Sequence, residues 1–109
     1  MSNQPLSEQI RIAGETWADL EGAAHLLEES KSSILARKMA ALGDIPIGRA
    51  ERDVKASDEW EHYIKTMCDA RLAANKAKIR VEYLKARYWE FSGIEATKRA
   101  EIRAMGATT

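Results

Sequence analysis

Apolar residues recur every three or four positions from Trp60 to Phe91, and neither proline nor glycine interrupts this stretch. Such spacing over five heptads is typical of a helix that packs through one face, as in a coiled coil. A lone helix of this kind gains little stability in water, so its apolar face has to be buried against other helices. The pattern therefore predicts an all-α fold. The a-type positions are Trp60, Met67, Ala74, Val81 and Tyr88, and the d-type positions are Tyr63, Ala70, Ala77, Leu84 and Phe91.

The first half of the chain carries its own seam of the same period, between Ile10 and Ile34. We expect one helix over about residues 7–42, a loop over about 43–57 and a second helix over about 58–104. Gly43 is suited to end the first helix, and Pro46 lies in the break that follows. Ser92 and Gly93 form the one point where the second helix could kink. The prediction is a single domain over residues 1–109, an antiparallel helical hairpin.

Charges beside the two seams predict how the hairpin is aligned. Glu21 and Glu28 occupy e-type positions on the first helix, and Arg71 and Lys78 occupy e-type positions on the second. An antiparallel pair brings e-type positions together, so we expect Glu28 opposite Arg71 and Glu21 opposite Lys78. Both pairs of residue numbers sum to 99, which agrees with the position of the loop. This alignment also sets Trp17 near Val81 and Leu84.

A second apolar line on the other side of the second helix predicts more than one packing neighbour. It includes Leu72, Ile79 and Tyr83, and beyond Gly93 the second helix outruns the first. We therefore expect a homodimer or a higher oligomer, in the form of a coiled-coil-like or four-helix bundle, with another protein as the alternative partner. The residues expected to contact another subunit or a partner protein are Trp17, Leu72, Ile79, Tyr83, Trp89, Ile94 and Ile102.

The charge distribution offers a different interpretation of the second half. The chain has a formal net charge of zero, which does not suggest a globally basic nucleic-acid binder. Residues 76–103 nevertheless carry eight basic and four acidic side chains, with aromatic residues among them. A nucleic-acid-binding accessory factor in recombination or regulation is therefore the alternative hypothesis. The residues that would contact nucleic acid are Arg87, Lys98, Arg99 and Arg103.

Few residues suggest catalysis. Glu59 and His62 have the Glu-x-x-His spacing of di-iron bundles, but a di-metal site needs a second such motif and two further glutamates. The chain has no glycine-rich phosphate loop, nucleophile elbow or Cys-x-x-Cys pair. We therefore expect no catalytic residues, no cofactor and no metal site, and a metal-dependent bundle enzyme is the least favoured hypothesis. A single cysteine, no signal peptide and no apolar stretch long enough to span a bilayer favour a cytoplasmic protein.

Three segments of the second half resemble a class of small helical proteins encoded by bacteriophages and prophages. The segments are Asp58-Glu59-Trp60, Ala70-Arg71-Leu72-Ala73-Ala74-Asn75, and the run of residues 90–101. Proteins of that class are mostly of unassigned function and sometimes lie beside phage recombination genes. The resemblance implies a phage-type accessory protein and assigns no site residues. The leading hypothesis is therefore a non-enzymatic module for protein–protein interaction or assembly.

Overall fold

The computed structural model describes residues 4–107 and shows an all-α fold. Helix α1 comprises Leu6–Ala41, helix α2 comprises Ile47–Lys55 and helix α3 comprises Asp58–Ala107. The two long helices, α1 and α3, pack against each other, as the sequence predicts. The protein is a rod of 91 × 26 × 16 Å, and the 50 residues of α3 span about 75 Å of its length.

The segment expected to be a loop contains α2. A proline precedes this helix. Proline has no backbone N–H group, but the N–H groups at the start of a helix have no partner within the helix, so no hydrogen bond is lost. Ala50 and Val54 lie on one face of α2 and are buried against the ends of the long helices. This short helix therefore closes the turn of the hairpin with a small apolar cap.

The ends of α1 and α3 that meet this turn are fixed by local hydrogen bonds. Gly43, directly after the C-cap residue Leu42, has a φ of +90°, a backbone conformation that glycine adopts at little cost. Its N–H donates to the carbonyl oxygen of Ala40 at 3.2 Å. At the start of α3, the Ser57 hydroxyl oxygen accepts from the N–H of Trp60 at 3.2 Å. Ser57 is thus the N-cap of α3.

Alanines allow α1 and α3 to approach closely in the middle of the hairpin. Ala24 on α1 and Ala74 on α3 have no exposed surface, although both belong to a thin two-helix layer. Larger side chains fill the seam toward the open end, where Trp17 packs against buried Val81 and Leu84. The expected position of Trp17 is therefore confirmed. Interhelical distance depends on the side chains at the contact, and small residues such as these permit close packing.

The seam is less well buried at the open end of the hairpin, which is the end opposite α2. The sequence pattern predicts that Tyr88 and Phe91 are buried there. Both are exposed, because α1 begins at Leu6 and provides only one turn of helix to cover them. Beyond this point α3 continues without a helical neighbour among the described residues. It also runs through Ser92 and Gly93 without a break, so the helix does not restart there. One glycine costs a helix only about 1 kcal/mol, too little to interrupt 50 helical residues.

The conformation of Gly43 generates a test of the hairpin turn. Replacing Gly43 with alanine introduces a Cβ at positive φ, and we expect a loss of about 1 kcal/mol in the free energy of unfolding. Gly22→Ala is the matched control, because Gly22 lies within α1 with open space around the added methyl group. That substitution should raise stability by about 0.5–1 kcal/mol. Urea denaturation of both variants measures the difference, and equal effects would contradict the assigned turn.

Candidate functional site

Arg71 joins the two long helices on one side of the hairpin. Its Nε and Nη2 donate to the Glu28 carboxylate at 2.8 and 2.7 Å, and its Nη1 donates to Glu21 Oε2 at 2.6 Å. These hydrogen bonds lower the pKa of the Glu28 carboxyl and raise the pKa of the Arg71 guanidinium. The side chains are partly exposed, so the cluster contributes more to alignment than to stability.

This cluster confirms one expected ion pair and corrects the other. Glu28 pairs with Arg71 as expected, but Glu21 bonds Arg71 and not Lys78. The planar guanidinium presents five N–H donors in a fork, so one arginine can bind two carboxylates that lie two helical turns apart. Within residues 4–107 Lys78 forms no ion pair, and its side chain is exposed.

Two further polar contacts hold the same alignment nearer the turn. The Tyr63 hydroxyl donates to the Leu27 carbonyl oxygen, and Lys38 Nζ lies 2.7 Å from Glu59 Oε2. The ammonium of Lys38 lowers the pKa of the Glu59 carboxyl. Glu59 of the Glu-x-x-His motif is therefore engaged by a lysine, while His62 is exposed. In the part of the chain that the structure describes, no three His, Cys, Asp or Glu side chains are grouped closely enough to hold a metal ion.

Leu72, Ile79 and Tyr83 form an exposed apolar surface, which we call the outer face of α3. They are 53%, 64% and 55% exposed. Their spacings of seven and four residues align them along one side of a helix, and that side is opposite the seam residues Ala74 and Val81. Ile94 is also exposed and continues this line eleven residues beyond Tyr83, which is three helical turns.

The remaining residues expected to contact a partner do not share this surface. Trp17 is half-buried in the seam between α1 and α3, where it contacts residues of its own chain. Trp89 is 71% exposed and makes an edge contact with Tyr88, with 5.6 Å between the ring centroids. At 100° per residue it lies about a quarter turn from the outer face, and exposed Ile102 lies about a third of a turn away. The residues expected to contact a partner thus comprise one apolar line along α3 and several residues that lie outside this line.

A shallow groove runs along one flank of the hairpin between α1 and α3, and we call it the basic groove. Arg80 lines it beside Gln9, Ile12 and Thr16 of α1. Nearer the open end, Arg87 and Phe91 line it beside Leu6 and, again, Gln9. The α1 side chains that line the groove are uncharged, and neither arginine forms an ion pair with a described residue. The groove on the opposite flank contains Glu21 with Arg11 and Lys85.

The structure divides the four residues expected to contact nucleic acid. Arg87 and Lys98 are eleven residues apart, which places them on the same side of α3. Arg99 and Arg103 turn away from that side by about 120° and about 160° at 100° per residue. Arg80, which is not among the four predicted contacts, lies two turns before Arg87 and lines the same flank. Its spacing of seven residues from Arg87 was the signal that could have identified it.

Searches of protein-family models, curated proteins and solved structures found no match to this chain. In residues 4–107, none of the helices contains an apolar stretch long enough to cross a membrane.

The lowered pKa of Glu28 generates a pH-dependent test of the Arg71 cluster. A carboxylate with a lowered pKa stabilises the fold above its ordinary pKa, about 4.5, and this contribution is lost as the pH falls through the lowered value. Arg71→Met should therefore unfold at a lower temperature than the wild type near pH 7. The difference should shrink as the pH falls through the lowered pKa of Glu28.

Lys78→Met is the matched control for this test. It also removes one exposed cation from α3, but Lys78 has no ion pair within the described residues. We expect little change in its thermal unfolding at either pH. A loss at Lys78 equal to the loss at Arg71 would contradict the assigned alignment.

Proposed function

We propose that this protein is a non-enzymatic assembly module, which pairs with a second copy of itself through the outer face of α3. The observation that carries this proposal is the exposed line of Leu72, Ile79 and Tyr83 opposite the seam. Burying a Leu or Ile side chain contributes about 1.5–3 kcal/mol relative to leaving it in water. A helix that is apolar on two sides gains this energy only when it has two neighbours.

An antiparallel pairing of the two α3 helices can match apolar with apolar residues and opposite charges with each other. When Leu72 lies opposite Tyr83 of the partner subunit, Lys65 lies opposite Glu90 of the partner subunit. The residue numbers of both pairs sum to 155. Because the arrangement is symmetric, each contact occurs twice. The Leu72–Tyr83 and Lys65–Glu90 pairs thus support the same alignment, in which Ile79 packs beside the aliphatic part of Lys76 of the partner subunit.

The same register avoids repulsion between like charges. It sets Asp69 opposite Ala86 of the partner subunit, whereas a shift of four residues would set Asp69 opposite Glu90 of the partner subunit. Lys65, Asp69 and Glu90 are exposed, and none of them forms an ion pair within the described residues. Their charges are therefore available to select one register of the dimer.

Reversal of one charge at a time tests this register. Lys65→Glu and Glu90→Lys each place like charges in contact twice per dimer, so each variant alone should dimerise more weakly than the wild type. The double variant restores opposite charges and should recover dimerisation. Light scattering after size-exclusion chromatography, over a range of concentrations, distinguishes the 12.2 kDa chain from a species of twice that mass. Failure of the double variant to recover would rule out the register.

Substitution of the apolar residues tests the surface itself. The double variant Leu72→Glu with Ile79→Glu places four buried carboxylates in the dimer and should leave the protein monomeric. Leu26→Glu is the control, because Leu26 is also exposed but lies on α1. It should leave the mass of the dimer unchanged. A wild-type protein that stays monomeric at high concentration would overturn self-assembly.

We also propose the cytoplasm as the compartment of this assembly. Cys68 is an exposed free thiol, a state that is stable in a reducing environment. The resemblance of the second half to small phage-encoded helical proteins supports an accessory role within the same proposal.

A further inference from the structure

The basic groove has an electrostatic character that the alignment of the hairpin does not require. The opposite flank uses Arg71 to bind Glu21 and Glu28, and this cluster holds α1 against α3. In the basic groove, Arg80 and Arg87 instead lie beside uncharged side chains such as Gln9 and Thr16. Neither arginine forms an ion pair with a described residue. Their charges are thus available for a ligand that the chain itself does not supply.

The cations of the groove form a row that extends beyond the end of α1. Arg80 and Arg87 are seven residues apart, and Lys98 follows after another eleven, so all three lie on one side of α3. With a rise of 1.5 Å per residue, the gaps are about 10 Å and about 16 Å along the helix. Lys98 forms no ion pair within residues 4–107, and it shares a shallow hollow with Glu90 and Glu101. The row suits a long, flexible anion with several charges.

An aromatic ring lies between the second and third cations. Phe91 follows Arg87 by one helical turn, is 59% exposed and lines the basic groove with it. A row of cations with an exposed ring among them is the arrangement by which proteins bind single strands, because phosphates contact the cations and an unpaired base stacks on the ring. A base held in a duplex has no free face to offer the ring.

We propose that the basic groove binds single-stranded nucleic acid. Arg80, Arg87 and Lys98 contact backbone phosphates, and Phe91 stacks against a base. The Gln9 side chain lines both parts of the groove and can donate a hydrogen bond to phosphate or base oxygens. Arg80, Arg87 and Phe91 lie beside α1, whereas Leu72 and Ile79 lie on the side of α3 that points away from α1. Lys98 lies near both surfaces, in a hollow that Ile94 and Glu90 also line.

Fluorescence anisotropy with a labelled oligothymidylate of about 20 nucleotides tests the proposal, since this length exceeds the footprint of a small single-strand site. Between about 50 and 300 mM salt, the logarithm of the association constant should fall with a slope of about −2, as expected for three phosphate contacts on a single strand. A duplex of the same length should bind more weakly. No binding at the lowest salt, or equal binding of the duplex, would overturn the proposal.

Two double variants of equal charge separate the groove from general electrostatic attraction. Arg80→Ala with Arg87→Ala should weaken binding at least about tenfold and reduce the slope to about −0.7. Lys78→Ala with Lys85→Ala removes the same charge from the other flank, because both residues follow Arg71 at intervals of seven. The control should bind like the wild type. Equal losses in the two variants would contradict a defined groove. Circular dichroism verifies that each protein is helical.

The aromatic contact has its own pair of variants. Phe91→Ala should weaken binding about tenfold while leaving the salt slope unchanged, because stacking releases no counterions. Trp89→Ala removes a more exposed ring that lies outside the groove and should have little effect. An effect of Trp89 alone would contradict the assigned site. Competition by polyglutamate as strong as that by unlabelled oligonucleotide would indicate an acidic protein ligand and overturn the assignment to nucleic acid.

Discussion

The complete burial of Ala24 and Ala74 between α1 and α3 is the constraint on which the rest of this structure depends. A two-helix layer has little interior, and small residues at the contact allow the two helices to pack without a gap. The larger residues Trp17, Val81 and Leu84 then fill the wider part of the seam. Once α1 and α3 are aligned in this way, the position of every side chain on the outside of α3 follows from its spacing along the helix.

The sequence predicts those features that depend on helical periodicity, and it fails where a contact depends on side-chain length or on a chain end. Two long helices and the Glu28–Arg71 pair follow from heptad spacing alone. The second bond of Arg71, to Glu21, could not be derived from it, since a heptad assigns one partner to each position while a guanidinium can bind two. Phe91 has the spacing of a buried residue, but it lies beside the first turn of α1, where Leu6 and Gln9 leave it 59% exposed. Periodicity within one helix contains no information about the length of its neighbour.

Charge is distributed unequally between the two flanks of the hairpin, and this inequality has a structural cause. A hairpin needs charged residues on only one flank to select its alignment, and Arg71 with Glu21 and Glu28 meets that need. On the other flank Gln9 and Thr16 leave the adjoining arginines without counterions. The formal net charge of zero conceals a local separation, because residues 1–34 carry a net charge of −4 and residues 76–103 carry a net charge of +4. Local charge is therefore more informative than net charge for this chain.

The unequal length of α1 and α3 connects the two proposed surfaces. If α1 extended to the end of α3, it would cover Phe91 and bring the side of α3 that carries Lys98 closer to a second helix. Because α1 begins at Leu6, the groove opens at that end, and a flexible strand could continue along α3 without meeting another helix. The outer face is unaffected by the length of α1, since it lies on the far side of α3. One long helix can thus present an apolar surface to a second copy and a basic surface to a different ligand, provided that its neighbour is short.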